Sequence, residues 1–338
     1  MNNQQASRDI VVVGASAGGV EALIKLLAGL PADLAASIFV VLHIPAESPS
    51  QLASILKRAC QLPVKAAEDR ELIVPGQVYV ALADRHLMID GTHIRVTRGP
   101  RESRSRPSVD VLFRSASVSF GPRVIAVVLS GALDDGTAGA WAVKDRGGLV
   151  LVQEPSDAMH SSMPESVMQH VKVDHVGTAQ ELGNVIAGLV GSPAPIEPSR
   201  ANPRHGIETL IAMEGNGLKA GVMDIGKISK YTCPDCHGVL VEIEEGPIVR
   251  FRCHTGHAFS LMSLLAEVNE SIDTGLWDTL RAVEERVMLL RQMGKLSRDA
   301  GAVADADKFE QQAVDTEQRL IPIREMVLDP KFFGHGQK

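Results

Sequence analysis

From Ile10 to about Val190, short apolar runs alternate with amphipathic stretches, the pattern of strand-helix-strand units around a mostly parallel sheet. The runs Ile10–Val13, Ser37–Leu42, Val64–Ala66, Gln77–Val80, Val124–Leu129 and Leu149–Val152 predict strands. β-Branched residues dominate several of them, as strands covered on both faces require. Apolar spacing of three and four predicts helices at Val20–Leu30, Ser50–Ala59, Val109–Phe120, Ala138–Asp145, Pro164–Gln169 and Ala179–Leu189. Leu87–Asp90 and Ile94–Thr97 flank Gly91-Thr92-His93 and predict a hairpin inserted at a sheet edge.

The pattern then changes. Gly191–Arg204 carries four prolines and almost no large apolar residues, so it reads as an extended linker. Residues 205–229 are glycine-rich and have no clear period. Further on, Leu276, Leu280, Val283, Val287 and Leu290 recur in alternating steps of four and three, as do Phe309, Ala313, Thr316, Leu320, Ile323 and Val327. These are coiled-coil seams, and Ser297–Asp307 between them supplies a turn. An antiparallel helical hairpin follows, with homodimerisation through the same helices as the alternative use of the seams. The predicted architecture is an α/β domain over 1–190, a doubly wound, mostly parallel sheet in three αβα layers. A linker over 191–229, a small zinc ribbon over 230–260 and an α-helical hairpin over 261–330 complete it.

Composition narrows the classes of function. The chain has 338 residues, 45% of them hydrophobic, enough for a substantial core. Its formal charge of -7 argues against bulk nucleic-acid binding. No apolar run reaches membrane-spanning length, and the polar start MNNQQASRD lacks the regions of a signal peptide. A cytoplasmic protein with no membrane insertion is expected.

Three of the four cysteines fall in one short segment, a metal-site distribution. Cys233-x2-Cys236, a hairpin-like interval at Gly246-Pro247 and Cys253-x3-His257 have the spacing of a zinc ribbon. Thiolates and imidazole suit Zn²⁺, and four protein ligands make such a site structural. His237 and His254 are alternatives to His257 as the fourth ligand. The acidic run Glu242-Ile243-Glu244-Glu245 disfavours nucleic acid as a partner of this segment. Cys60 follows a helical pattern and reads as a small apolar residue.

In IVVVGASAGG, Ser16 sits where the first strand turns into a helix. Gly14-Ala15-Ser16-Ala17-Gly18 fits the G-x-S-x-G nucleophile elbow. The dinucleotide fingerprint needs glycine at position 16, so it does not fit. An inert helix cap remains the competing reading of Ser16. Loops leaving the carboxyl ends of parallel strands converge on one edge. The second strand ends at His43, and VIAVVLSG leads to Asp134 and Asp135. A serine nucleophile, an imidazole base and an orienting carboxylate form a triad, here Ser16, His43 and one of the two aspartates, Asp135 foremost.

GASAGG, VVLHIP, PSVDVLF, LSGALDDGTAG and SMPESV together resemble the catalytic domain of CheB-type protein-glutamate methylesterases, over about residues 8–190. The resemblance implies hydrolysis of glutamate methyl esters on chemoreceptors or related signalling proteins by Ser16, His43 and Asp135, without a catalytic cofactor. It also implies that glutamine deamidation is within reach of the same site. Ala17 and Ala132 stand where the family usually has Thr and Met, which makes their backbone N–H groups the oxyanion candidates. Arg98, Arg101, Arg104 and Arg106 cluster in one loop, and Arg104 and Arg106 are candidates for docking an acidic substrate. Ser16 lies too near the start for a receiver domain ahead of it, so control by a separate regulatory protein or by the C-terminal segment is expected. The competing function is a non-enzymatic scaffold that keeps the fold and binds partners through the zinc and helix tail.

Overall fold

Strand β1 (Ile10–Ala15) is buried at all six positions, because it has a parallel neighbour on each side and helices above and below. In the computed structural model, which describes residues 6–45, 51–195, 202–329 and 332, β1 is flanked by β2 (Ser37–Leu42) and β7 (Val124–Val128). The strands β3 (Val64–Ala66) and β4 (Val78–Val80) extend the sheet beyond β2. Beyond β7 lie β8 (Leu149–Gln153) and β9 (His175–Gly177), and every pairing is parallel. The order is β3-β4-β2-β1-β7-β8-β9.

Alternate residues of each strand enter different cores, as a period of two dictates. Val11, Val13, Ile38 and Val40 pack with α1 (Gly19–Ala28), α2 (Leu52–Ala59) and α6 (Ala179–Leu189), through Leu23, Leu26, Leu56, Leu182 and Ile186. Val12, Phe39, Val41 and Ala126 face α3 (Val109–Phe120), α4 (Thr137–Asp145) and α5 (Ser162–His170), through Leu112, Phe113, Ala140 and Val167. The predicted three layers are therefore observed. Ser50, the first residue of the predicted second helix, lies outside the described residues, as do 196–201 of the predicted linker.

Two local expectations change. The hairpin β5 (His86–Asp90) and β6 (His93–Thr97) is a separate two-stranded sheet and not an edge addition to the main one. Leu87, Ile89 and Ile94 join the α3 side of the core, and the Ile89 N–H donates to Ser115 Oγ at 3.1 Å. The second change lies after the proline-rich stretch, where Asn202 caps α7 (Pro203–Glu214), with Pro203 in the first turn that tolerates it. The buried face of α7 mixes Ile211 and Ala212 with His205 and Glu208, so hydrophobicity alone gave no helical period.

A short helix α8 (Gly217–Ala220) leads to a four-stranded antiparallel sheet: β10 (Lys227–Thr232), β11 (Val239–Glu245), β12 (Ile248–Cys253) and β13 (Ala258–Ser260). This sheet belongs to the same compact unit as the α/β layers, Met1–Leu264. Buried ions join them. Arg114 Nη2 lies 2.8 Å from both Glu102 carboxylate oxygens, Arg252 pairs with Glu102 and Glu208, and Arg250 with Glu208 and Glu245.

The second unit, Leu265–Lys338, holds most of α9 (Leu261–Asp299) together with α10 (Val303–Leu328). Val287, Leu290 and Ala313 bury against one another, and Arg291–Glu317 at 2.7 Å, Arg298–Asp307 at 3.0 Å and Arg324–Glu284 run in antiparallel order. Among the described residues no helix is long and apolar enough to cross a membrane.

Candidate active site

The carboxyl ends of β1, β2 and β7 deliver three side chains to one point. The Ser16 hydroxyl lies 3.0 Å from His43 Nδ1, and His43 Nε2 lies 2.8 Å from Asp135 Oδ2. The tautomer that satisfies both contacts carries its proton on Nε2, leaving Nδ1 to accept from Ser16. Asp135, not Asp134, faces the imidazole; Asp134 accepts from Ser260 Oγ at 2.8 Å.

The Ser16 turn is fixed by its neighbours. Its N–H donates to Ser130 O at 2.9 Å, and Ser130 Oγ donates to Ala17 O at 2.8 Å. Ser16 is not among the residues with positive φ; Gly18, the cap of α1, takes the left-handed conformation at φ 73°. The strain expected of an elbow thus falls on a glycine, where it costs least. A Cβ at Gly18 would lie 2.6 Å from Met159 Cβ, so the position is closed by packing as well.

Asp135 stands just before α4, and its carboxylate meets the N-terminus of α3. Its Oδ1 accepts from Ser108 Oγ at 3.0 Å and the Asp110 N–H at 3.0 Å, and its Oδ2 from the Val109 N–H at 2.8 Å. Burial pushes this carboxyl up, but the hydrogen bond and charge of His43 and the α3 amides outweigh it and hold Asp135 below the ordinary range. Asp110, also buried and beside Asp135, is pushed well above that range by burial first and by the Asp135 charge second. Sequence reasoning assigned no role to Ser108, Asp110 or Ser130. The first two lie in PSVDVLF and the third in LSG, so those motifs were the only available signal.

A cleft of about 350 Å³ opens at His43 and is walled by Arg101, Arg104, Ser105, Arg106 and Asp84. Arg106 is tied down, with Nε 2.8 Å from Asp84 Oδ1 and Nη1 2.9 Å from Gly99 O, so it shapes the wall. A larger hollow of about 420 Å³ reaches Asp110 and Asp134 from the other side, but Ser16 and His43 do not line it. Of the two, the smaller cleft is the one that His43 lines, and Ser16 lines neither. Ala17 is exposed and Ala132 is exposed, one at the start of α1 and the other in the loop before Asp135.

Residues 11–186 match the family model described as CheB methylesterase. The chain belongs to the CheB methylesterase family. The catalytic domain of the Thermotoga maritima CheB methylesterase aligns with a TM-score of 0.53 at 34% identity, over 55% of this chain and 100% of that one. Protein-glutamate methylesterase/protein-glutamine glutaminase 1 of Geobacter metallireducens is 35% identical over 191 residues, 55% of this chain and 52% of that protein. A Leptospira interrogans protein named for the same two activities is 37% identical over 182 residues, 54% of this chain and 94% of its own length. Family membership makes the chain an enzyme of the methylesterase class, and the family match ends before α7.

Outside that match, Cys233, Cys236, Cys253 and His257 bring four donor atoms within 4.8 Å of one another. Cys236 Sγ and Cys253 Sγ are 3.6 Å apart, and His257 Nδ1 is 3.6 Å from both Cys233 Sγ and Cys253 Sγ. Neither His237 nor His254 belongs to this group. Cys60 stands apart, half-buried, with its thiol pushed up by burial, which suits an unreactive residue.

Proposed function

We propose that the chain hydrolyses glutamate methyl esters on a chemoreceptor-type signalling protein, with Ser16 as nucleophile, His43 as general base and Asp135 as the group that orients and charge-balances His43. The observation that carries this reading is the unbroken line of hydrogen bonds, 3.0 Å and 2.8 Å, from Ser16 through His43 to Asp135. His43 Nδ1 takes the Ser16 proton as Oγ attacks the ester carbonyl, and the imidazolium then protonates the departing methanol. Water, deprotonated by the same nitrogen, releases the glutamyl group from Ser16. The N–H groups of Ala17 and Ala132 are the donors we assign to the tetrahedral oxyanion. Their side chains take no part in such bonds, so alanine at both positions keeps the donors.

The same acyl-enzyme forms from a glutamine amide, with ammonia leaving in place of methanol, which fits the double names of the relatives. Methanol release from a methylated receptor fragment tests the reading. The wild type should release methanol and Ser16→Ala should not, and equal release by both would end the proposal.

We further assign a structural zinc ion to Cys233, Cys236, Cys253 and His257. Tetrahedral zinc with Zn–S of about 2.3 Å and Zn–N of about 2.0–2.1 Å requires S···S near 3.8 Å and S···N near 3.5 Å, so the 3.6 Å separations fit. Four protein ligands leave no open position for substrate, so the ion would supply cross-linking and no step of ester hydrolysis.

A further inference from the structure

The turn that carries Arg104 is held from two sides, by Arg114 of α3 and by residues outside the α/β layers. The Glu102 N–H donates to Ser105 O at 3.3 Å and the Ser105 N–H to Glu102 O at 2.9 Å, closing a two-residue turn. Between them Ser103 and Arg104 have φ of 49° and 69°, a conformation that such turns normally give to Asn or Gly. Non-glycine residues persist there only where surrounding contacts over-determine them.

Besides the Arg114 pair, those contacts come from the Cys3His sheet. The Ser103 N–H donates to Ala258 O at 2.8 Å, and the Ala258 N–H donates to Arg101 O at 3.1 Å. The Glu102 carboxylate is buried between Arg114 and Arg252, each with a guanidinium nitrogen at 2.8 Å. Arg252 directly precedes Cys253, and Ala258 directly follows His257. Both clamps thus have an anchor, Arg252 or Ala258, next in sequence to a residue of the Cys3His group. The opposite side of the same turn is the wall of the His43 cleft, through Arg101, Arg104 and Ser105.

We infer that Glu102 is a positioning residue for substrate binding: it ties the arginine turn to Arg252 and β13, so that the Cys3His sheet fixes where Arg101 and Arg104 stand beside His43. The turn reads acidic residues flanking the ester, and the ester itself is left to Ser16. This inference rests on the ester-hydrolase reading of the cleft. The zinc-loaded full chain is compared as wild type, Glu102→Gln and Ala258→Pro, the last removing one edge-strand donor and no side-chain charge. With a methylated acidic peptide, KM should rise about tenfold, the equivalent of about 1.4 kcal/mol, while kcat stays within about twofold. With p-nitrophenyl acetate, which has no acidic flank, both constants should hold. Amide exchange at Ser103 and Ser105 should quicken in both variants and in wild type stripped of zinc by chelator, and slow again on adding zinc.

A fall in kcat shared by both substrates would overturn the inference, because it would mean general damage to the site. An unchanged KM for the acidic peptide alongside faster exchange would overturn the reading function of the turn. Exchange indifferent to zinc would overturn its dependence on the metal-binding sheet. If Glu102→Gln does not fold, Ala258→Pro and the wild-type exchange comparison decide. If the wild type releases no methanol, the ester-hydrolase reading fails while the exchange experiment still judges the clamp.

Discussion

Asp110 and Asp135 accept the same Gly136 N–H, at 3.0 Å and 2.9 Å, which brings two buried carboxyls to one donor. They cannot both be charged at neutral pH without strong repulsion. Asp135 has His43 and the amides of α3 to hold its charge, whereas burial first and the Asp135 charge second push Asp110 well above the ordinary carboxylate range. The opposite shifts favour the negative charge on the carboxylate that faces the imidazole.

Replacing Asp110 by Asn should keep the side chain's shape and flatten the dependence of stability on pH. The folded-state value of Asp110 is raised above the ordinary 3.8, so its contribution is fully present below 3.8 and is lost as pH rises towards the folded value. Thermal melts of wild type should therefore carry a falling component across that window that Asp110→Asn lacks. Identical slopes would refute the upward shift of Asp110. Asp135 has the opposite sign: its contribution is present above 3.8 and fades as pH drops through its lowered value.

Asp135→Asn removes the acceptor that selects the His43 tautomer. A loss in kcat of about 10⁴ is expected, by analogy with the serine protease triad, with much less change in KM. Methanol release read beside phosphonate labelling of Ser16 measures both effects. Retention of a tenth or more of kcat would show that Asp135 is not the orienting group.

Gly14 is the contact between β1 and the start of α3. A Cβ there would fall 2.2 Å from Val109 Cγ1. Gly14→Ala should cost about 1–3 kcal/mol in denaturant unfolding and lower kcat, because Val109 and its neighbours hold Asp135. Adding Val109→Ala removes the clashing methyls and should recover part of both losses. No recovery in the double variant would place the damage elsewhere.

Protein purified without chelator should contain about one zinc per chain, and Cys236→Ser should lose it. Because the thiols must be deprotonated to bind, zinc should be released as pH falls, with a drop in melting temperature at the same point. A melt indifferent to chelator would remove the ion from the fold.

The α/β layers were legible because their information is local: the central strands are short buried runs and the helices are amphipathic, down to the matching limits of Val109–Phe120 and Ala179–Leu189. Ser16, His43 and Asp135 were legible because parallel topology places strand ends together. β9 escaped notice as a three-residue edge strand with His175 and Val176 exposed. α7 was hidden for a different reason, since three of its five buried residues are the polar His205, Glu208 and Thr209, and Glu208 is compensated by Arg250 and Arg252, some forty positions away. Ser108 and Asp110 were likewise invisible as functional groups, because their role is to surround a carboxylate delivered by another strand.

The strand order also sets when the enzyme can first act. β1 lies between β2 and β7, and His43 is 92 residues from Asp135 along the chain. A nascent chain that has released β1 and β2 from the ribosome holds Ser16 and His43 but no carboxylate to orient them. Only after β7 has been synthesised and has inserted beside β1 does the hydrogen-bond line close. On the proposed triad, hydrolysis during synthesis begins only when β7 pairs with β1, before β8 and β9 complete the sheet, so that its onset marks long-range strand pairing and not the appearance of the nucleophile.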